Sequence, residues 1–188
     1  MNITIRLATL DDAAEIVGIY SYYVENTAIS FEYQTPSVEE YRGRIAHILE
    51  RFPFLVAISD QKIVGYAYAS PFKTRAAYEY NVETSIYVDQ SCHGQGVGRM
   101  LYEHLEKILK SQNILNMNAC IAYAVSDDGH LTNNSAFFHE HLGFQKIGQF
   151  HQCGFKFNSW YDMIWMEKML GAHSKNPPKF IPFSQLKR

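Results

Sequence analysis

The chain has 188 residues, of which 47% are hydrophobic and 19% charged, with a net charge of −2. That composition suits a single soluble globular domain with a sizeable core and disfavours a broad basic surface for nucleic acid, though not a local basic pocket. The opening residues lack the apolar stretch of a secretory signal, no apolar run is long enough to span a bilayer, and Cys92, Cys120 and Cys153 are too scattered for a disulfide framework, so a reducing, cytoplasmic setting is expected.

In chain order, the alternation Ile3-Thr4-Ile5-Arg6-Leu7 predicts a strand. Asp11 and Asp12 open a helix running to about residue 24, because carboxylates suit the positive end of a helix. Ser37 with Glu40 has capping-box spacing and predicts a second helix to about residue 51. Residues 54–59 and 62–70 predict two strands joined at Asp60-Gln61 as a hairpin, and residues 82–88 another strand. Val97, Met100, Leu101, Leu105, Ile108 and Leu109 recur at helical spacing and predict a helix from 97 to about 110. A strand over 116–125, a short helix over 134–142 ended by Gly143, and strands over 145–157 and 160–169 complete the series. The expected fold is α/β, with a mixed central sheet of about six to seven strands flanked by about four helices. Strands are expected to be parallel wherever a helix crosses between them. One domain is expected over residues 1–170. From Gly171 onward, Pro177, Pro178 and Pro182 predict an irregular tail lying on the surface or on a second subunit.

Between the strand at 82–88 and the helix at 97 lies Cys92-His93-Gly94-Gln95-Gly96-Val97-Gly98-Arg99. The first N–H groups of a helix have no intrahelical partner and sit at the positive end of its dipole. A glycine-rich turn leading into a helix therefore either cradles a phosphate or simply makes a tight connection. This one lacks the Gly-Lys-Ser/Thr of a Walker loop. Its third glycine follows the second by two residues rather than three, and it lies mid-chain, unlike the dinucleotide fingerprint.

The pattern Gln/Arg-x-x-Gly-x-Gly/Ala falls on His93-Gly94-Gln95-Gly96-Val97-Gly98, with His93 in the Gln/Arg place. Phe138-His139-Glu140-His141-Leu142-Gly143-Phe144 adds a short helix closed by Leu-Gly-Phe. In these motifs, and in its order of elements over residues 3–169, the chain resembles the GNAT acetyltransferases. Two signatures resemble the phosphinothricin and methionine-sulfoximine acetyltransferases within that family. One is Pro71-Phe72-Lys73-Thr74-Arg75-Ala76-Ala77-Tyr78 followed by Val82-Glu83-Thr84-Ser85-Ile86-Tyr87-Val88. The other is Gly154-Phe155-Lys156 with Asn158-Ser159-Trp160-Tyr161-Asp162. Asp127-Asp128-Gly129-His130-Leu131 is extra length before the short helix, in a position to reshape an entrance.

The resemblance implies acetyl-CoA as co-substrate, no metal, and direct transfer in a ternary complex to the α-amine of a small amino acid or analogue. The other readings are a protein N-terminus or a polyamine as acceptor, or a non-catalytic acyl-CoA-binding module. It implies that His93, Gly94, Gln95, Gly96, Val97, Gly98, Arg99 and Asn134 hold the coenzyme, Arg99 either at a phosphate or merely on the first helical turn. The backbone of Ile86, Tyr87 and Val88 would pair with the pantetheine arm and polarise the thioester. A homodimer is implied, with no nucleic-acid or membrane partner.

Acetylation needs a neutral amine, so a base must take a proton. Alternation places Asn81, Glu83, Ser85 and Tyr87 on one strand face and Val82, Thr84, Ile86 and Val88 on the other. Glu83 is then either an exposed strand carboxylate or, at the family's base position, the catalytic base. Ser135, Phe138, His139 and Leu142 recur at helical spacing and turn His139 inward. It is either a satisfied core histidine or the proton-handling or substrate-orienting residue that the resemblance implies; His141 points elsewhere, so the two do not make a metal pair. Lys73 and Arg75 are either solvated turn residues or clamps for an acidic acceptor. Phe31, Tyr78 and Tyr87 match aromatic positions around the acceptor in the relatives or pack the core, and Ser85 joins the acceptor side. Cys92 is incidental to direct transfer, which needs no cysteine nucleophile.

Overall fold

A computed structural model of the chain describes residues 2–126 and 128–186. Its strands are β1 (Thr4–Leu7), β2 (Phe54–Ser59), β3 (Lys62–Pro71), β4 (Asn81–Val88), β5 (Asn116–Tyr123), β6 (Gln145–Lys156) and β7 (Ser159–Met169). Its α-helices are α1 (Ala13–Asn26), α2 (Val38–Arg51), α3 (Val97–Ser111) and α4 (Asn134–His141). The strands form one sheet in the order β1-β2-β3-β4-β5-β7-β6.

Local chemistry accounts for the element ends. Ser37 Oγ accepts from the Glu40 backbone N–H at 3.1 Å and starts α2. Asp60 and Gln61 take φ of 49° and 64°, the left-handed pair that a two-residue hairpin between β2 and β3 requires. Arg6 grips both Asp12 carboxylate oxygens at 2.7 Å, tying β1 to the start of α1.

The sheet departs from the expected pairing at two helical connections: β1 and β2, joined through α1 and α2, pair antiparallel, and the second departure lies around α4. Around α3, β4 and β5 are parallel neighbours. Around α4, β5 and β6 are not neighbours, because β7 enters antiparallel between them. The Phe157-Asn158 turn, with both residues at positive φ, folds β7 straight back onto β6. β7 then pairs with all eight residues of β5, which leaves β6 at the sheet edge.

Each face of the sheet is covered. Leu101, Leu105 and Leu109 of α3 pack with Met117 and Ile164 on one side. Ile16 and Tyr20 of α1 and Ile45 of α2 pack with Phe54 and Tyr66 on the other. The tail does not lie loosely outside. Phe180 is buried in the α3-side core, 5.6 Å ring to ring from Phe52, and Gln112 donates to the Ile181 carbonyl. Apolar burial of Phe180 and Phe183 is what docks this proline-rich segment on its own chain. Among the described residues, no helix is long and apolar enough to cross a membrane.

Candidate active site

The sheet opens where the sequence places its chemistry. β4 pairs with β5 only from Asn81–Asn116 to Glu83–Asn118. Beyond Glu83, β4 continues to Val88 bound to β3 alone, while β5 continues bound to β7. The two strands separate and leave a cleft. Ser85, Ile86 and Tyr87 line one wall, Cys120 and Ile121 the other, and Tyr102 and His139 also face it. Strand edges in such a gap offer backbone N–H and C=O groups to an extended ligand.

At the far end of β4 lies the glycine turn. Gly94 and Gly96 take φ of 73° and 82°, open to one side with no atom near the position a side chain would fill. Gly96 is the N-cap of α3, and no side chain caps its first turn. The first N–H groups of a fifteen-residue helix therefore face an open site, a fit for a diphosphate. Gly98 also serves the packing of two helices. A side chain there would meet the Phe138 ring at 3.0 Å, so this glycine lets α3 pack on α4. Val97 is buried in the core. Gln95 donates to the Ser91 carbonyl at 2.9 Å, and Arg99 pairs with Glu103 one helical turn on at 2.8 Å. The His93 ring turns back to β4: its Nε2 lies 2.9 Å from the Tyr23 hydroxyl and 3.1 Å from the Val88 carbonyl, which Tyr23 also engages.

Glu83 lies half-buried on the opposite β4 face from Thr84. Burial raises its carboxyl above the usual range, and the Lys73 ammonium pulls it back. Lys73 itself sits 4.9 Å from the Phe72 ring and 5.6 Å from the Trp165 ring. Arg75 is exposed just before the Ala76–Tyr78 turn, and Tyr78 is exposed edge-on to Phe72 at 5.8 Å. Phe31 covers Gly154, where any side chain would strike its ring, and leans toward Tyr161 at 6.4 Å. Ser85 faces Tyr68 across the β3–β4 ladder. The Tyr87 ring packs against Tyr20 at 5.0 Å, Tyr23 at 5.1 Å and Tyr66 at 5.4 Å. Its side chain is thus a packing group as well as a cleft wall.

His139 is 3% exposed. Its Nδ1 lies 2.7 Å from the Ser135 carbonyl and its Nε2 lies 2.9 Å from the Tyr102 hydroxyl. Burial lowers its pKa to about 4, against which the Ser135 carbonyl works. Asn134 begins α4, but the neighbouring Asn133 makes the hydrogen bonds, to both the N–H and the carbonyl of Ala124. Desolvation pushes the Cys120 thiol up to about 12, with Glu83 adding to the effect. Among the described residues, no cluster of His, Cys, Asp or Glu is arranged to hold a metal ion.

Three groups have no role assigned from the sequence, although Lys156 and Asp162 lie in its C-terminal signature. Tyr102 contacts His139 across two helices. Lys156 is 3% exposed, and its ammonium donates to the carbonyls of Val24, Thr27 and Ser30 at 2.7, 2.9 and 2.7 Å. It fixes the segment that carries Ile29 to the cleft and Phe31 onto Gly154. Asp162 accepts from Gln152 N–H at 2.7 Å and from Gln149 at 2.6 Å, and so shapes the bulge in β6. Helical periodicity marks Tyr102 as inward, since it lies three residues before Leu105 and seven before Leu109, but nothing local names its partner. Asp127 lies outside the described residues. Residues 128 and 130 of that added loop pack at the β6–β7 turn: Asp128 accepts from the Tyr161 hydroxyl, and the His130 ring stacks on Phe157 at 4.0 Å.

Comparison with known proteins agrees with this geometry. Residues 5–165 match the family model of the acetyltransferase (GNAT) domain. A phosphinothricin N-acetyltransferase of Alcaligenes faecalis is 35% identical over 94% of this chain and 87% of its own. An L-methionine sulfoximine/L-methionine sulfone acetyltransferase of Salmonella typhimurium is 29% identical over 91% of this chain and 96% of its own. Among solved structures, a GNAT superfamily phosphinothricin acetyltransferase from Sinorhizobium meliloti, in complex with AcCoA, superposes with a TM-score of 0.87 at 31% identity, covering 98% of both chains.

Proposed function

The chain belongs to the GNAT acetyltransferase family, and from that premise we propose that it moves the acetyl group of acetyl-CoA to the α-amine of a small amino acid or analogue. It is an acetyl-CoA-dependent acyltransferase. The observation that carries the finer reading is the separation of β4 from β5 directly after Glu83, on a strand that leads to the glycine turn.

In this reading the α3 N-terminus and the Gly94–Gly96 backbone hold the diphosphate of the coenzyme. The unpaired edge of β4 near Ser85 to Ile86 takes the pantetheine arm, and a backbone N–H there polarises the thioester carbonyl. Glu83 takes a proton from the acceptor ammonium, directly or through water, so that the neutral amine attacks. The C–N bond forms, the C–S bond breaks with its electron pair leaving on sulfur, and the nitrogen releases its second proton to water to become a neutral amide. A half-buried Glu83 with a raised pKa is better suited to this task than an exposed strand carboxylate.

The acceptor is drawn as an amino acid because Lys73 stands near enough to act on the Glu83 carboxyl, with Arg75 two residues on. Lys73 and Arg75 suit a carboxylate, phosphinate or sulfoximine-bearing acceptor, whereas a polyamine needs carboxylates there. Phe31 and Tyr78 supply apolar walls. The names of the relatives point to the same class of acceptor. Lys156, reaching carbonyls around residue 27, holds the Phe31 wall in register with β6.

The protein is read as a cytoplasmic homodimer. Phe150, Phe155 and Trp160 are 56%, 43% and 60% exposed on the edge hairpin β6–β7, an apolar patch suited to a second copy. Glu83→Gln tests the central assignment. It should bind acetyl-CoA as the parent does and lose most turnover, about 100-fold or more. Full activity would remove Glu83 from the base role.

A further inference from the structure

The hydrogen-bond directions at His139 are decided by its neighbours. The Ser135 carbonyl, 2.7 Å from Nδ1, can only accept, so Nδ1 carries the ring hydrogen. A neutral imidazole has one N–H, which leaves Nε2 a bare acceptor. The Tyr102 hydroxyl at 2.9 Å is therefore the donor of that bond. Thr84 Oγ1, 3.3 Å from the same hydroxyl, already donates to the Asn118 carbonyl at 3.1 Å. The hydrogen on the shared face of this trio thus belongs to Tyr102.

Position matters as much as direction. Tyr102 contacts Thr84, and Thr84 lies on the opposite face of β4 from Glu83. Both Tyr102 and Thr84 border the cleft. An acceptor amine met by Glu83 on one face leaves the departing sulfur on the other, where Tyr102 is.

Resting on the acetyl-transfer reading above, we propose that Tyr102 donates the hydrogen bond that stabilises the leaving thiolate, and that His139 is a positioning residue which holds the Tyr102 hydroxyl. As the C–S bond breaks, its electron pair goes to sulfur and the phenol hydrogen turns from Nε2 to that sulfur. Tyr102 keeps its proton, because burial raises its pKa above the ordinary tyrosine value. The acceptor ammonium gives up two protons on its way to a neutral amide: the first is on Glu83, and the second leaves the nitrogen for solvent water as the C–N bond forms, so charge and protons balance with the coenzyme departing as its thiolate. His139, with no hydrogen at Nε2, has none to give.

Single-turnover acetylation by Tyr102→Phe, with two donors, tests this. The donors are acetyl-CoA and an acetyl thioester of a more acidic aryl thiol, whose thiolate needs less help to leave. The variant should lose about 10- to 100-fold in rate with acetyl-CoA. With the aryl thioester the loss should shrink to a few-fold, a change that mere misfolding cannot produce because both rates come from one preparation. His139→Gln, which keeps a carbonyl acceptor for Tyr102, should be less impaired than Tyr102→Phe. A Tyr102→Phe rate within twofold of the parent, or an equal loss with both donors, overturns the assignment. Parent protein that binds acetyl-CoA yet acetylates no amine overturns the transfer reading itself, and this assignment with it.

Discussion

Glu83 and Asn118 form the last paired rung between β4 and β5, and the cleft begins at the next residue. One carboxylate is thereby fixed by sheet hydrogen bonding at the mouth of a gap whose walls are strand edges. Preorganisation of this kind needs no loop movement to position the base.

The charge next to Glu83 should set the acid side of the pH–rate profile. Burial raises the Glu83 pKa and Lys73 opposes that rise. Removing the ammonium in Lys73→Met should raise it further, so that activity is lost at a higher pH on acidification. A profile of kcat against pH for parent and variant checks the sign: an acid limb that stays put or moves down would separate Lys73 from Glu83.

Buried, neutral His139 should make stability pH-dependent. Its folded pKa is about 4 against 6.5 when unfolded. The unfolded chain binds the proton more readily, so this contribution is complete above about pH 6.5 and is lost as pH falls toward 4. The gap corresponds to about 3 kcal/mol. Urea unfolding across that range should show the decline, and His139→Gln should flatten it.

Lys156→Met should destabilise the fold by about 2–4 kcal/mol, because three carbonyls lose their buried donor. The segment bearing Phe31 should loosen with it. Acceptor KM should rise by more than kcat falls, while acetyl-CoA affinity stays near that of the parent.

The glycines of the turn should separate by role. Gly96→Ala forces a side chain into φ of 82°, costs about 1–2 kcal/mol, and should weaken acetyl-CoA binding. Gly98→Val drives a side chain into Phe138 and should lower Tm by moving α4. Calorimetric titration and thermal melting on both variants distinguish them; identical effects would contradict the division.

Much of this arrangement is written in short-range patterns. Strand alternation put Glu83 and Thr84 on opposite faces, helical spacing turned His139 inward, and glycine spacing marked the turn at 94–98. Each is legible because the signal spans one element. The Tyr102–His139 bond spans 37 positions, and the Lys156 contacts span 126 to 132, so no local pattern reveals them. The insertion of β7 beside β5 is likewise a long-range pairing, made by residues 159–169 with 116–123, that no local pattern reveals. The proline-rich tail misleads for a related reason: prolines forbid regular structure but do not prevent Phe180 from being buried.

The central claim is acetyl transfer to a small amino acid amine. Its most direct test is the rate of thiol release from acetyl-CoA across a panel of phosphinothricin, methionine sulfoximine, methionine sulfone, free amino acids and polyamines, with the acetylated product identified by mass. Turnover is expected with one or more of the amino-acid amines, well above any polyamine, with N-acetylation at the α-position. Saturable acetyl-CoA binding without thiol release for any amine, or transfer confined to polyamines, would contradict it.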